Sequence, residues 1–249
     1  MSVRHAVVTG ASSGIGRAVA VALHAQGFNV TLAARREHDL HELAGLLSPA
    51  HLGVRVIPTD VRDPAARESL LTRARDAFGP IDVLVNNAGV GITRGPWWSE
   101  DSTSDVLDVN FVAPVALSRL ALPEMLERRR GHIVNVASVA GHVASSALYS
   151  GAKFGLRGFT LGLRRELLGT GVHASLVSPG FVRTAMTAQQ RFPMPEPEIV
   201  ARAVLSVLDR PRREVVVPAW YWGLIALEGV TPGLLDAAFR TRRRGERMT

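Results

Sequence analysis

Apolar residues along the chain fall into two alternating rhythms. Seven short runs rich in β-branched residues, HAVVT (5–9), NVTLAA (29–34), VRVIP (54–58), DVLVNN (82–87), HIVNVAS (132–138), HASLVS (173–178) and EVVVP (214–218), read as strands buried on both faces. Between them, apolar positions at helical spacing predict helices at 14–26, 64–78, 104–129, 149–168 and 196–209. Such alternation predicts an α/β protein with a doubly wound parallel sheet in three layers, whose ligands bind at the carboxyl ends of the strands. No repeat or linker interrupts the pattern, so residues 1–249 are read as one domain, with an apolar and basic extension from about residue 219.

Composition narrows this picture. Hydrophobic residues make up 47% of the 249 and charged residues 20%, a globular balance. Cysteine is absent, which removes disulfides, thiolate metal sites and thiol nucleophiles. The formal charge of +7 is spread along helices except for a terminal run, RTRRRGER (240–247). No aromatic-interleaved basic motif accompanies it, so nucleic acid is not an expected partner. MSVRHAVVTG enters a strand pattern directly, without the apolar run of a signal peptide, and a cytoplasmic protein is expected.

The first strand leads into TGASSGIG (9–16) and then a helix. Glycines at 10, 14 and 16 let backbone approach a pyrophosphate while the helix start offers free N–H groups, so a dinucleotide is the expected ligand. GASSG also fits the G-x-S-x-G elbow of serine hydrolases, with Ser12 as nucleophile. The last histidine, His173, lies early in a strand pattern, which suits a triad poorly. After the second strand, LAARRE places Arg35 and Arg36 where an NAD site would carry a carboxylate. A guanidinium suits the 2′-phosphate of NADP(H), although two solvated arginines at a helix start would look the same.

These residues, with NNAG (86–89), YSGAK (149–153) and SPGFVRT (178–184), resemble the short-chain dehydrogenase/reductase family over Val3 to about Pro218. The resemblance implies a Rossmann fold and NADP(H)-dependent interconversion of a carbonyl and an alcohol. Of the 29 lysines and arginines only Lys153 is a lysine, and it stands four residues after Tyr149, one of two tyrosines. Four residues is one helical turn, so the two share a face. An adjacent ammonium is expected to lower the phenol's pKa, and a lysine stem can reach a ribose hydroxyl where an arginine would bring a planar fork.

By the same resemblance Tyr149 would be the general acid/base, Lys153 its partner and the holder of the nicotinamide ribose. Ser138 would position the carbonyl, and Asn110 would hold a water relaying protons to the lysine. Gly10, Ser12, Ser13, Gly14, Ile15 and Gly16 would surround the phosphates, Arg35 and Arg36 the 2′-phosphate, and Asp60 and Val61 the adenine. Asn87, Ala88 and Gly89 would lie under the adenine ribose, Pro179 and Gly180 would turn the chain at the nicotinamide, and Val182 and Thr184 would bind its carboxamide. One departure stands out. Ser138 and Tyr149 are about two residues closer than the family usually shows, and VAGHVASSAL between them lacks the usual proline.

Elsewhere the sequence is less specific. His38 and His41, among Glu37, Asp39 and Glu42, read as a solvated helix face, and no metal is expected. AWYWGLIALEGVTPGLLDAAF after Pro218 is interrupted by Glu228 and Pro232, so it does not read as a spanning helix. It is either a lid or oligomer contact, in a homodimer or homotetramer, or a peripheral membrane anchor whose basic residues face acidic headgroups. Trp97, Trp98, Met186, Phe192 and Met194 would wall the substrate pocket or else simply pack core and lid; as walls they favour an apolar ketone or aldehyde, whether lipid, steroid-like or aromatic. The expectation is an NADP(H)-dependent reductase. A catalytically silent NADP(H) sensor and, further off, a Ser12 hydrolase are the alternatives.

Overall fold

The computed structural model describes residues 3–47, 52–91, 97, 103–231, 233 and 236. Its strands are β1 (His5–Thr9), β2 (Asn29–Ala34), β3 (Val54–Pro58), β4 (Val83–Asn86), β5 (Gly131–Val136), β6 (Val172–Pro179) and β7 (Glu214–Val217). All pair in parallel, in the order β3-β2-β1-β4-β5-β6-β7. The chain winds outward from β1 to β3, then crosses back to β4 and winds the other way. That reversal opens a crevice past the ends of β1 and β4, where ligands of such sheets bind.

Side chains alternate across the strands, and this alternation builds two cores. Ala6, Val8, Val85 and Val134 face one layer, where α1 (Gly14–Ala25), α2 (Glu37–Leu46) and α7 (Glu198–Asp209) contribute Val19, Leu40 and Val204. Val7, Leu84 and Ile133 face the other, packed by Leu70, Leu117 and Leu163 of α3 (Pro64–Phe78), α5 (Ala113–Glu127) and α6 (Ala147–Glu166). Three described histidines are buried, with His24 Nδ1 3.2 Å from the Phe28 carbonyl. His5 bonds Thr31 Oγ1 at 2.9 Å, and His132 bonds Ser175 Oγ at 2.9 Å. Burial pushes His132 down to about 3, with His173 and Arg164 adding to the effect, so its imidazole is neutral at physiological pH. His38 and His41 stand exposed on α2.

The helix expected at 104–129 is present over Ser104–Glu127, with a widened turn in its middle. A short α4 (Thr103–Leu107) runs into a π-helical turn at Asp108–Val112 and then into α5. Pro114 explains the widening: it has no N–H for the carbonyl of Asn110, four residues back, as a regular α-helical turn requires. The wider turn carries Asn110, fully buried, toward the crevice. Beyond β7, α8 (Tyr221–Val230) lays Tyr221 against Val139, Val143 and Val216.

Candidate active site

A cleft of about 370 Å³ lies at the crevice and gathers most of the predicted residues. Gly10, Ser12, Ser13, Gly14 and Ile15 line one end with Arg35, Arg36, Asp60 and Val61, while Asn87, Ala88 and Gly89 form the middle. Asn110, Tyr149, Lys153, Thr184 and Met186 close the other end. Ala34, Thr59, Val90, Val109, Val136 and Ala137 also line it, and the sequence reading did not include them.

The glycine loop fits a bound dinucleotide. Ser13, at the N-cap of α1, makes no side-chain cap, so the first N–H groups of that helix keep no capping oxygen of their own. Its hydroxyl instead accepts a hydrogen bond from Arg36 Nη2 at 2.7 Å, and Ser12 Oγ accepts from the same nitrogen at 3.0 Å. Arg36 is braced from behind by Asp39 at 3.0 Å. A guanidinium cannot take a proton at neutral pH, so Ser12 is held as a neutral hydroxyl beside a cation, a poor setting for a hydrolytic nucleophile. Arg35 is exposed beside Arg36.

Gly16 lies behind the loop, where a Cβ would collide with the carbonyl oxygen of Gly10 and come within 2.5 Å of Asn87 Nδ2. Its role is close packing of α1 against the loop. Thr9, quoted in the motif but given no role, joins the two sides of the crevice: its hydroxyl accepts from the N–H groups of Asn87 at 3.0 Å and Ala88 at 3.1 Å. Asn87 Nδ2 returns a bond to the Thr9 carbonyl at 2.9 Å. At the same end of the cleft as Arg35, Asp60 is gripped by Arg62 Nη2 at 2.6 Å, and the hydrogen bond from Arg62 holds its carboxyl below the usual range.

At the far end Tyr149 and Lys153 lie on one face of α6, with the Lys153 Nζ 5.8 Å from the centre of the Tyr149 ring. Lys153 donates to the Val136 carbonyl at 3.2 Å, and burial lowers its pKa to about 8. Burial also raises the Tyr149 phenol, an effect that a hydrogen bond with the Ser138 side chain only partly offsets. The sequence reading had the sign reversed. It counted the neighbouring ammonium and left out desolvation, which disfavours charge on both groups. Ser138 caps the turn Val139–Gly141, accepting from Ala140 N at 3.1 Å. The shortened connection therefore still brings Ser138 to Tyr149. Asn110 is tied at both ends to Val90, accepting from its N–H at 3.2 Å and donating to its carbonyl at 3.0 Å.

Several expected residues are elsewhere. Pro179, Gly180 and Val182 do not line the cleft. Val182 is buried in the core, and a Cβ on Gly180 would run into the ring of Tyr221, so this glycine makes room for α8. Among the described pocket walls only Met186 lines the cleft; Trp97 is exposed, Phe192 packs edge-on against Phe181 at 5.2 Å, and Met194 is half-buried. Trp98 falls outside the described residues.

Behind the site lies a charged cluster that the sequence reading missed. Glu214 and His142 are each 4% exposed at the side chain and meet at 2.5 Å. Ser178 Oγ donates to the same carboxylate at 2.7 Å, and Arg157 Nε bonds its other oxygen at 3.2 Å. One carboxylate thus ties the loop between Ser138 and Tyr149 to β6 and to the helix that carries Lys153. Burial alone would raise Glu214, but the bonds from His142 and Ser178 and the charges of His142 and Arg157 outweigh it and hold the carboxyl low. A depressed carboxylate stabilises the fold above its unfolded pKa, and that stability is lost as pH falls through the lower folded value. Glu214→Gln should therefore cost about 2 kcal/mol at neutral pH, with the deficit shrinking toward acid. Urea melts at neutral and acid pH read this directly, and equal midpoints for both proteins at neutral pH would refute it.

Fold and cleft together define a dinucleotide-binding oxidoreductase. The chain matches the short chain dehydrogenase family over residues 4–194, and it belongs to that family. It is 39% identical over 214 residues to an uncharacterized oxidoreductase of Staphylococcus aureus, covering 83% of this chain and 91% of that protein. A ketoacyl reductase, HetN, of Nostoc sp. is 38% identical over 222 residues, covering 85% of this chain and 77% of that one. A variant of actinorhodin polyketide ketoreductase with NADPH superposes with a TM-score of 0.80 at 30% identity, over 88% of this chain and 98% of that one. A family member from Burkholderia phymatum in complex with NAD gives 0.84 at 27%, over 94% and 95%.

Proposed function

We propose that the protein is an NADP(H)-dependent reductase of apolar ketones or aldehydes, with Asn110, Ser138, Tyr149 and Lys153 as its catalytic residues. The observation that carries this reading is a phenol kept protonated by burial, hydrogen-bonded to a serine hydroxyl, one helical turn from a buried lysine. When bound, the dinucleotide supplies the hydride. Ser138 holds the carbonyl oxygen, and Tyr149, neutral and pointed at the same place, gives it a proton. Lys153 binds the nicotinamide ribose, and Asn110, fixed by Val90, holds the water that restores the proton. Arg36 across Ser12 and Ser13, with Arg35 beside it, favours a 2′-phosphate over a bare ribose. Related proteins carry NADPH or NAD in their structures, so the arginines are what support the NADP(H) choice.

Apolar lining at Val90, Val109, Val136 and Met186 supports an apolar substrate. We also read the protein as a cytoplasmic homodimer or homotetramer; exposed Leu107, Val112 and Phe154 along α4 to α6 offer apolar surface for it. The test is consumption of NADPH and of NADH over a panel of apolar ketones and aldehydes. NADPH should support turnover at least about tenfold better. Equal use of both nucleotides would overturn the cofactor choice, and tight NADPH binding without turnover would favour the silent sensor.

A further inference from the structure

The inner side of α8 is packed against the domain; among the described residues the outer side is largely exposed, with Trp222 meeting the ring of His142 edge-on at 5.8 Å. Tyr221 packs on Val139, Val143 and Val216 with Leu224 and Ile225 beside it, and its hydroxyl accepts from the Phe181 N–H at 3.1 Å. At 100° per residue, Trp222, Ala226 and Val230 form one row along the opposite side, with Gly223 and Leu227 next to it. Trp220 is 66% exposed and Val230 80%, and Trp222 and Leu227 are exposed as well. No charged residue lies on that side; the one acidic residue of the helix, Glu228, is half-buried on the inner one.

The apolar surface continues past the helix. Trp220 stacks on Tyr221 at 3.7 Å, Tyr221 holds Phe181, and Phe181 meets Phe192; both phenylalanines are exposed. Met186, exposed and on the cleft lining, lies five residues beyond Phe181. Among the described residues, exposed aromatic side chains therefore lie from α8 toward the mouth of the cleft, linked through the buried Tyr221.

We infer that this surface docks on an anionic lipid bilayer. The charge of the following sequence selects that occupant: Arg240, Arg242, Arg243, Arg244 and Arg247 come soon after α8, with Glu246 the only acid among them. A second copy on the same face would bring two such runs together in repulsion. An anionic membrane accepts both at once: tryptophans at the headgroup boundary, guanidinium groups on lipid phosphates. One weak anchor gives only marginal binding, and two together give stable binding. Docked this way, the mouth of the cleft faces the apolar phase, and a substrate can enter from the bilayer. This last point rests on the reductase reading; the docking does not.

The experiment is sedimentation of the full chain with vesicles of phosphatidylcholine alone and of phosphatidylcholine mixed with phosphatidylglycerol, at low and high salt. Binding is expected on the mixed vesicles, weakened by salt. The double variant Trp220→Ser, Trp222→Ser should bind at least about tenfold more weakly. Removal of residues 240–249 should abolish the preference for anionic lipid while leaving the melting curve unchanged. No binding to mixed vesicles at low salt overturns the inference. So does a double variant that binds as well as the parent, or one that only converts a dimer to monomer by light scattering. Neither cofactor nor turnover enters the measurement, so its failure leaves the reductase reading intact.

Discussion

Tyr149→Phe is expected to lower kcat by about 10²–10⁴-fold while leaving NADPH affinity within about twofold. The substitution removes one hydroxyl and keeps the ring, so the packing of α6 and the place of Lys153 stay as they are. What goes is the proton donor. Because burial holds that phenol in its neutral form, the parent enzyme should reduce carbonyls at full rate through neutral pH. Its rate should fall as pH rises past about 8, where Lys153 loses its proton. Steady-state kinetics across pH, with nucleotide titration of the variant, separate the two roles. A variant that retains most of its turnover would remove Tyr149 from the chemistry and with it the proposed mechanism.

Gly16→Ala should be the most damaging single-methyl change near the cleft. The new Cβ would meet the Gly10 carbonyl oxygen, which is backbone, and Asn87 Nδ2, which already bonds the Thr9 carbonyl. Neither can yield without moving the glycine loop or opening the link between β1 and β4. The expected loss is about 1–3 kcal/mol in stability, with NADPH binding about tenfold weaker or worse because the loop is displaced. Gly151→Ala is the control: nothing lies within 4 Å of its added Cβ, and it sits exposed inside α6. There the methyl should stabilise slightly, since alanine favours helix over glycine. Urea melts and nucleotide titrations of both variants check the pair, and a Gly16→Ala protein that melts and binds like the parent would refute the packing argument.

The strands were legible to within two residues because a parallel sheet buries both faces, and a run such as HAVVT has no amphipathic alternative. The placing of the glycine loop in the cleft and of Tyr149 and Lys153 on one helix face was legible because both depend on spacing within one element. What failed depends on contacts between distant parts of the chain. Glu214 meets residues 72, 36 and 57 positions away, and nothing local marks it. The sign of the Tyr149 shift depends on burial, which a spacing of four cannot report. Gly180 was assigned to the cofactor from its motif, whereas the ring that needs its missing side chain comes 41 positions later, from α8. The π-helical turn was the avoidable miss, since Pro114 stood in plain sight four residues after Asn110.

Lys153, four residues after Tyr149 on the same face of α6 and only 4% exposed, has a practical consequence. No other side chain carries a primary amine, so acylating reagents have a single internal target, reached through the cleft. Its labelling, read as one mass increment on one peptide, reports whether the floor of the cleft is open or covered, without an assay or a substrate in hand.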